Sequence, residues 1–339
     1  MSANNYDAWR LEPKEFDGLP YDGRIHFLVR FAVLAPSSHN SQPWEFVVEP
    51  SAIVVRPNLA RALPQSDPTG RQLYISIGCA VENICQAADY YGYQPTVTAS
   101  ATGPAWRISL AGTPKPAGAR RPDHPALAIS HRQANRTKYE ARPPEQAFVQ
   151  DLPQWADAVR VSVVETEPVK SKIATIVSDG LIEAMDSKPF REELSHYVLP
   201  NITKRMVGMP MSGFGMPTPP SFLAPFLVRL FNVNRLKRQE DEELLSKHTP
   251  AFVVLSTVAD DIPAWFAVGR AFQRIALEAV ARGMSTAPMA SVIEIGDHHR
   301  ELQTLLGESG RPQMFFRLGY ASGPAPLSPR LPAALVLAK

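Results

Sequence analysis

Cysteine is almost absent from this chain of 339 residues, with Cys79 and Cys85 the only two. A disulfide framework is excluded, and a thiolate metal cluster has too few ligands. The two cysteines sit six apart in an apolar helical pattern, so they point to different faces and read as buried thiols in a reducing cytoplasm. An excess of charge of one sign is also missing. Lys and Arg number 35 and Asp and Glu 33, a formal +2, and no clustered basic face argues for nucleic acid. The longest apolar runs, such as Ala251–Leu255, are strand-length, far short of the about 20 residues of a membrane span. The polar start Met1–Arg10 lacks the charged end and apolar core of a secretion signal. Neither a membrane nor a nucleic acid is therefore an expected partner. Metal chemistry lacks a signature too, because His298 and His299 are adjacent and no His-Glu-x-x-His occurs. No Gly-x-Gly-x-x-Gly follows a strand, and Gly213-Phe-Gly215 lacks the third glycine, which disfavours a nicotinamide-binding Rossmann domain.

Proline, by contrast, is abundant, with 33 residues. Pro114, Pro116, Pro122 and Pro125 mark an exposed connector over residues 113–128, between a first half (1–112) and a second half (129–339). Pro210, Pro217, Pro219, Pro220 and Pro225 alternate with Met206, Met209, Met211 and Met216. Such a stretch cannot form a regular helix or a central strand. Its methionines and Phe214 offer adaptable apolar surface, and Gly208, Gly213 and Gly215 permit hinges. Residues 205–226 are expected either to form a lid over a site or to lie as a loop on the body or at a subunit contact. Lys237–Glu243 reads as a solvated helix face.

Two segments repeat when aligned on a glycine. Gly78–Gly92 carries Ala80, Val81, Ile84, Cys85 and Ala88 on one helix face. Gly269–Gly283 carries Ala271, Phe272, Ile275, Ala276 and Ala279 at the same offsets. Each helix stops at a glycine suited to a left-handed cap. Strand-like runs follow at Trp106–Ala111 and Phe316–Ala321 and precede at Ile53–Val55 and Ala251–Val258. Strand–helix–strand patterns recur in any α/β protein, but the matched spacing favours two like halves about a pseudo-twofold axis, with a site at their junction.

Two segments concentrate polar chemistry. An amphipathic helix over Arg24–Leu34 runs into Ala35-Pro-Ser-Ser-His-Asn-Ser-Gln-Pro-Trp44, then a strand Glu45–Val48. Pro36 ends the helix, and Ser37, Ser38, Asn40, Ser41 and Gln42 gather donors and acceptors in a short loop. This loop suits either a polar ring system or an ordinary capped turn. In Ser130–Tyr139, Arg132, Arg136 and Lys138 form either a solvated basic turn or a phosphate clamp.

The stretch Pro36–Trp44 resembles the Pro-Ser-Ser-x-Asn-x-Gln-Pro-Trp motif of the FMN-dependent nitroreductase family. Arg132-Gln-Ala-Asn-Arg136 is similar to that family's Arg-x-Ser-x-Arg motif, with Ala134 in place of the usual serine. Gly283–Ser291 looks like its flavin-facing backbone, and Ser328–Pro332, with Arg330, like its C-terminal phosphate-binding segment. The distribution of motifs resembles the double-length, Acg-type branch, in which a duplicated chain mimics a dimer. The resemblance implies an α+β fold, each half a mainly antiparallel sheet flanked by helices. On pattern alone an all-parallel doubly wound sheet is the rival.

The resemblance further implies one FMN per chain, held by Pro36, Ser37, Ser38, Asn40, Gln42, Arg132, Ala134, Arg136, Pro288, Met289, Ala290, Ser291 and Arg330. NADPH or NADH is the expected electron donor and a nitro or quinone-like small molecule the acceptor. The flavin N5 atom would carry the chemistry, so no side chain is nominated as catalytic. His39, Met209, Met211, Phe214 and Met216 are the candidates for the substrate side and lid, although a solvent-facing His39 is the plainer expectation. Two other readings stay open: a flavin-sequestering protein with a closed lid, and a dedicated biosynthetic dehydrogenase. A further homodimer also stays open.

Overall fold

A computed structural model describes residues 4–101 and 103–338. Met1–Ala3 of the polar start, Thr102 and Lys339 lie outside the described residues. Helix α1 (Tyr21–Ala32) buries Ile25, Leu28, Val29 and Ala32, the face expected from their spacing, together with Phe27 and Phe31. Strands β1 (Trp44–Glu49) and β2 (Ala52–Pro57) form a hairpin, followed by helix α2 (Arg71–Tyr91), β3 (Gln94–Ala99) and β4 (Trp106–Ala111). They make one antiparallel sheet in the order β1-β2-β4-β3.

After the short helix α3 (Gln146–Asp151), the second sheet takes β5 (Arg160–Val164) and then a long excursion before β8. The excursion contains α4 (Val169–Asp186), α5 (Lys188–Tyr197), two-residue strands β6 (Val198–Leu199) and β7 (Met209–Pro210), α6 (Thr218–Ser221), α7 (Ala224–Leu230) and α8 (Val233–Lys247). Strand β8 (Ala251–Thr257), helix α9 (Ile262–Ala281), β9 (Ser285–Pro288), α10 (Ser291–Glu294), α11 (His298–Leu306) and β10 (Arg311–Gly319) complete the fold. The sheet is again antiparallel, in the order β5-β8-β10-β9. The architecture is thus α+β, with each long helix between the second and third strands of its sheet. The parallel rival is set aside: among the described strands only the short β6–β7 pair is parallel.

The unbroken apolar run of β8 has a direct cause. Side chains alternate across a sheet, so Ala251, Val253 and Leu255 enter the main core while Phe252 and Val254 enter a second cluster beneath α4. A strand covered on both faces has no polar face to show.

Helices α2 and α9 make the contact that joins the two sheets. A Cβ on Gly78 would lie 2.2 Å from the Phe266 carbonyl oxygen, and one on Gly269 would lie 2.0 Å from that of Ile75. Each glycine therefore faces the residue three positions before the other, a reciprocal crossing that only glycine permits. Both helices start seven residues before the glycines on which their sequences align, at Arg71 and Ile262. The expected left-handed glycines follow them, Gly92 at φ 98° and Gly283 at φ 73°. Burying an isoleucine or leucine stabilises by about 1.5–3 kcal/mol, and Ile77, Ile84, Ile275 and Leu277 are fully buried here.

Three local expectations need adjustment. The proline-rich connector is mostly exposed to Asp123, but His124, Ala126 and Ala128 are buried. Within residues 205–226, α6 and α7 are short helices that carry proline in their first turns, where its missing N–H costs nothing. The strand expected at Phe316–Ala321 runs from Arg311 to Gly319, and β3, β5 and β9 are strands that the sequence pattern does not mark.

Candidate functional site

The loop after α1 is the first wall of the site, and its backbone is unusual. His39, Asn40 and Gln42 have φ of 51°, 53° and 53°. Left-handed backbone at three non-glycine residues within four positions costs free energy that surrounding contacts must supply. Asn40 supplies much of it. Its side-chain amide donates to the carbonyls of Gly208 (2.9 Å) and Pro329 (2.8 Å), and its oxygen accepts from Arg330 Nη1 (2.5 Å). Gln42 donates to the Met206 carbonyl (2.7 Å) and accepts from the Leu331 N–H (2.9 Å). These two side chains tie the loop to distant chain segments, and their donors are engaged within the protein.

Arginines gather behind the loop. Arg132 and Arg330 are both buried, and among the described residues neither has a carboxylate within 4 Å. Arg132 donates once, from Nη2 to the Leu34 carbonyl at 3.2 Å, leaving Nε and Nη1 without partners. Arg330 bonds Asn40 and the Pro329 carbonyl, and its Nε has no partner. Burial lowers the Arg132 pKa to about 10. Burial, then the neighbouring Arg132 charge, lowers that of Arg330 to about 9. Two repelling buried cations with three unpartnered nitrogens call for an anion. The N-terminal segment, silent in the sequence, helps hold Arg330: its guanidinium lies 4.9 Å from the Trp9 ring centroid, and its N–H donates to the Asn5 carbonyl.

Arg136, four residues beyond Arg132, faces elsewhere. Its guanidinium lies 4.5 Å from the Phe214 ring centroid and beside His39. The expectation of a solvent-facing His39 is corrected, because its ring lies against Phe190 and Tyr197 and its Nδ1 is buried without a partner. Burial, with the Arg136 charge, lowers its pKa to about 4. Ala134 bridges to Thr286 on β9, which brings the arginine segment beside Pro288. Pro288 pairs with Phe316, Met289 donates to the Phe315 carbonyl, and Ala290 leads into α10 at Ser291.

A connection absent from the sequence reading links Ser38 to α10. Ser38 Oγ meets Gln72 at 3.4 Å, Gln72 donates to Glu294 at 2.8 Å, and Arg71 holds the other Glu294 oxygen at 2.7 Å. Burial raises the Glu294 pKa to about 7 against the pull of Arg71. Nothing in the local sequence marks these residues, since Glu294 lies more than two hundred positions from both Arg71 and Gln72.

Residues 205–216 form a strap across the loop. Beyond the bonds to Asn40 and Gln42, Met206 and Val207 pack on the main core. Met211 and Met216 pack on a third cluster with Met185, Phe190, Ala224 and Val228. Met209 pairs with Val198, and half-exposed Phe214 caps Arg136. Lys138 is exposed and stands apart. Among the described residues no His, Cys, Asp and Glu cluster could hold a metal, and no helix is long and apolar enough to cross a membrane.

No protein-family model matches this chain. It is similar to "Putative NAD(P)H nitroreductase Rv3131" of Mycobacterium tuberculosis, 27% identical over 312 residues, which covers 90% of this chain and 88% of the relative. It is 28% identical over 333 residues to an uncharacterized protein of the same organism, covering 91% of each. A third relative, "Putative NAD(P)H nitroreductase acg", is 25% identical over 325 residues, 91% of this chain and 93% of the relative. The likeness to the two nitroreductase-named proteins therefore covers 90–91% of this chain and 88–93% of theirs.

Proposed function

We propose that this chain is an FMN-dependent NAD(P)H oxidoreductase of nitroreductase type, with one flavin site built between two like halves. The observation that carries the reading is the buried, carboxylate-free pair Arg132 and Arg330, whose unpartnered nitrogens suit a phosphate. Bound FMN would supply the electron transfer, from NAD(P)H to a nitroaromatic or quinone-like acceptor. Arg132 and Arg330 hold the phosphate; Asn40 orients Arg330; and Ser37, Ser38, Pro36 and Gln42 shape the wall of the loop. Ala134 and Pro288–Ser291 form the opposite wall through backbone. Arg136 and a neutral His39 face the substrate side, under Met209, Met211, Phe214 and Met216.

Residues 1–112 and 129–339 serve as the two halves, 113–128 as their connector, and 205–226 as the lid-bearing part of the second. The matched strand orders and the reciprocal glycine crossing support this division. The strap's bonds to Asn40 and Gln42 favour a second reading, in which a closed lid retains flavin with little turnover.

The deciding experiment is reconstitution with FMN followed by anaerobic NADPH or NADH. We expect a yellow protein that bleaches rapidly. A yellow protein that stays oxidised would select the sequestering reading. A colourless one after reconstitution would overturn the flavin site itself.

A further inference from the structure

Helix α7 is apolar on two opposite sides. Ala224 and Val228, four apart, are buried in the third cluster beside Phe190 and Val198. On the other side, Phe226 (60% exposed), Leu227 and Leu230 face outward, flanked by Phe222, Leu223 (60%) and Phe231. Leu236, at the start of α8, is 88% exposed. A helix apolar all round is ordinarily enclosed, and grouped exposed aromatics and leucines mark a surface that meets something. The charge pattern of the same segment is one-sided. Between Leu194 and Gln239 stand Lys204, Arg205, Arg229, Arg235, Lys237 and Arg238, with no Asp or Glu. Arg229, Arg235 and Arg238 meet Glu192, Asp186 and Asp179 of neighbouring helices. Among the described residues, Lys204, Arg205 and Lys237 have no carboxylate within 4 Å.

We propose that the exposed face of α6–α7, with the basic residues that flank it in the chain, docks on the surface of a bilayer rich in anionic lipid. Leucine and phenylalanine would enter the boundary between headgroups and acyl chains while lysine and arginine meet lipid phosphates. Such docking needs no spanning helix. A second copy of the chain is the weaker occupant, because a two-fold self-contact sets each patch against its own image and brings like cations together. The strap leads directly into α6, so a docked face would also lie beside the covered site.

The test is co-sedimentation of the full chain with vesicles of phosphatidylcholine containing phosphatidylglycerol, and with pure phosphatidylcholine. We expect pelleting with the anionic vesicles only, weakened by salt. Phe226→Ser with Leu230→Ser should reduce it about tenfold or more, as should Lys204→Gln with Lys237→Gln. These positions are exposed, so unchanged thermal melting will show that the variants fold. Failure of the wild-type chain to pellet with anionic vesicles overturns the proposal, as does equal pelleting of the variants. A concentration-dependent dimer lost in Phe226→Ser with Leu230→Ser would also overturn it and assign the face to a second copy.

Discussion

Arg132 and Arg330 repel each other as buried cations, and this repulsion yields a two-sided expectation. Arg132→Met should leave the flavin-free protein as stable as the parent, or more so, because a poorly partnered buried charge is removed. The same change should weaken FMN binding about ten- to a hundredfold, the loss of one or two charge-assisted bonds. Flavin titration and thermal melting check the two halves of this claim. His39 gives a pH dependence. Its folded pKa of about 4 lies below its ordinary 6.5, so the unfolded chain binds the proton first. Its contribution to stability is present above pH 6.5 and is lost as pH falls towards 4. Glu294 acts in the opposite sense: its pKa rises from 4.5 to about 7, so its contribution is present below 4.5 and lost as pH rises through 7. His39→Gln should therefore make the protein relatively more stable at pH 5 than at pH 7, compared with the parent, in melting curves. Cys79 and Cys85 are buried, with pKa values pushed up to about 12. Both should resist a thiol reagent until the chain unfolds.

The contact of α2 with α9 tolerates no side chain where the two glycines meet. Gly269→Ala would place its Cβ 2.0 Å from a carbonyl oxygen and should destabilise by about 1–3 kcal/mol. Gly118→Ala, with nothing within 4 Å, should leave the melting temperature unchanged. The strap depends on another glycine. Gly208 has φ 116°, and a Cβ there would lie 2.7 Å from the Tyr197 carbonyl and 2.8 Å from the Leu199 side chain. Gly208→Ala should lift the strap from Asn40. Faster bleaching of the flavin by NADPH in rapid-mixing measurements is the expected result, and an unchanged rate would show that the strap does not gate the site.

The two sheets share a strand order but not a length. A tight turn joins β1 to β2, whereas residues 165–250 separate β5 from β8. The excursion between β5 and β8 supplies the strap, the third cluster and the exposed face of α7. Residues 336–338 then return to the first sheet: Phe46 N–H donates to the Val336 carbonyl, and Ala338 N–H to the Phe46 carbonyl. Deleting residues 329–339 removes this edge pairing together with Arg330. We expect loss of flavin and faster amide exchange along β1, measured by hydrogen exchange.

Periodicity in the sequence marked one buried face of α1, α2 and α9, because three- and four-residue steps place apolar groups on one side, although α2 and α9 are buried on further sides as well. The left-handed glycines after α2 and α9 were legible for the same local reason. So was the polar loop, since Pro36 must end a helix and the residues after it are rich in donors and acceptors. Tertiary structure alone decided the rest. It split Arg132 from Arg136, placing one against Arg330 and the other under Phe214. It turned His39 inward and recruited Asn5, Trp9, Gln72 and Glu294 to the site. Those contacts join residues far apart in the chain, and their energies come from desolvation and charge proximity, which no local pattern encodes.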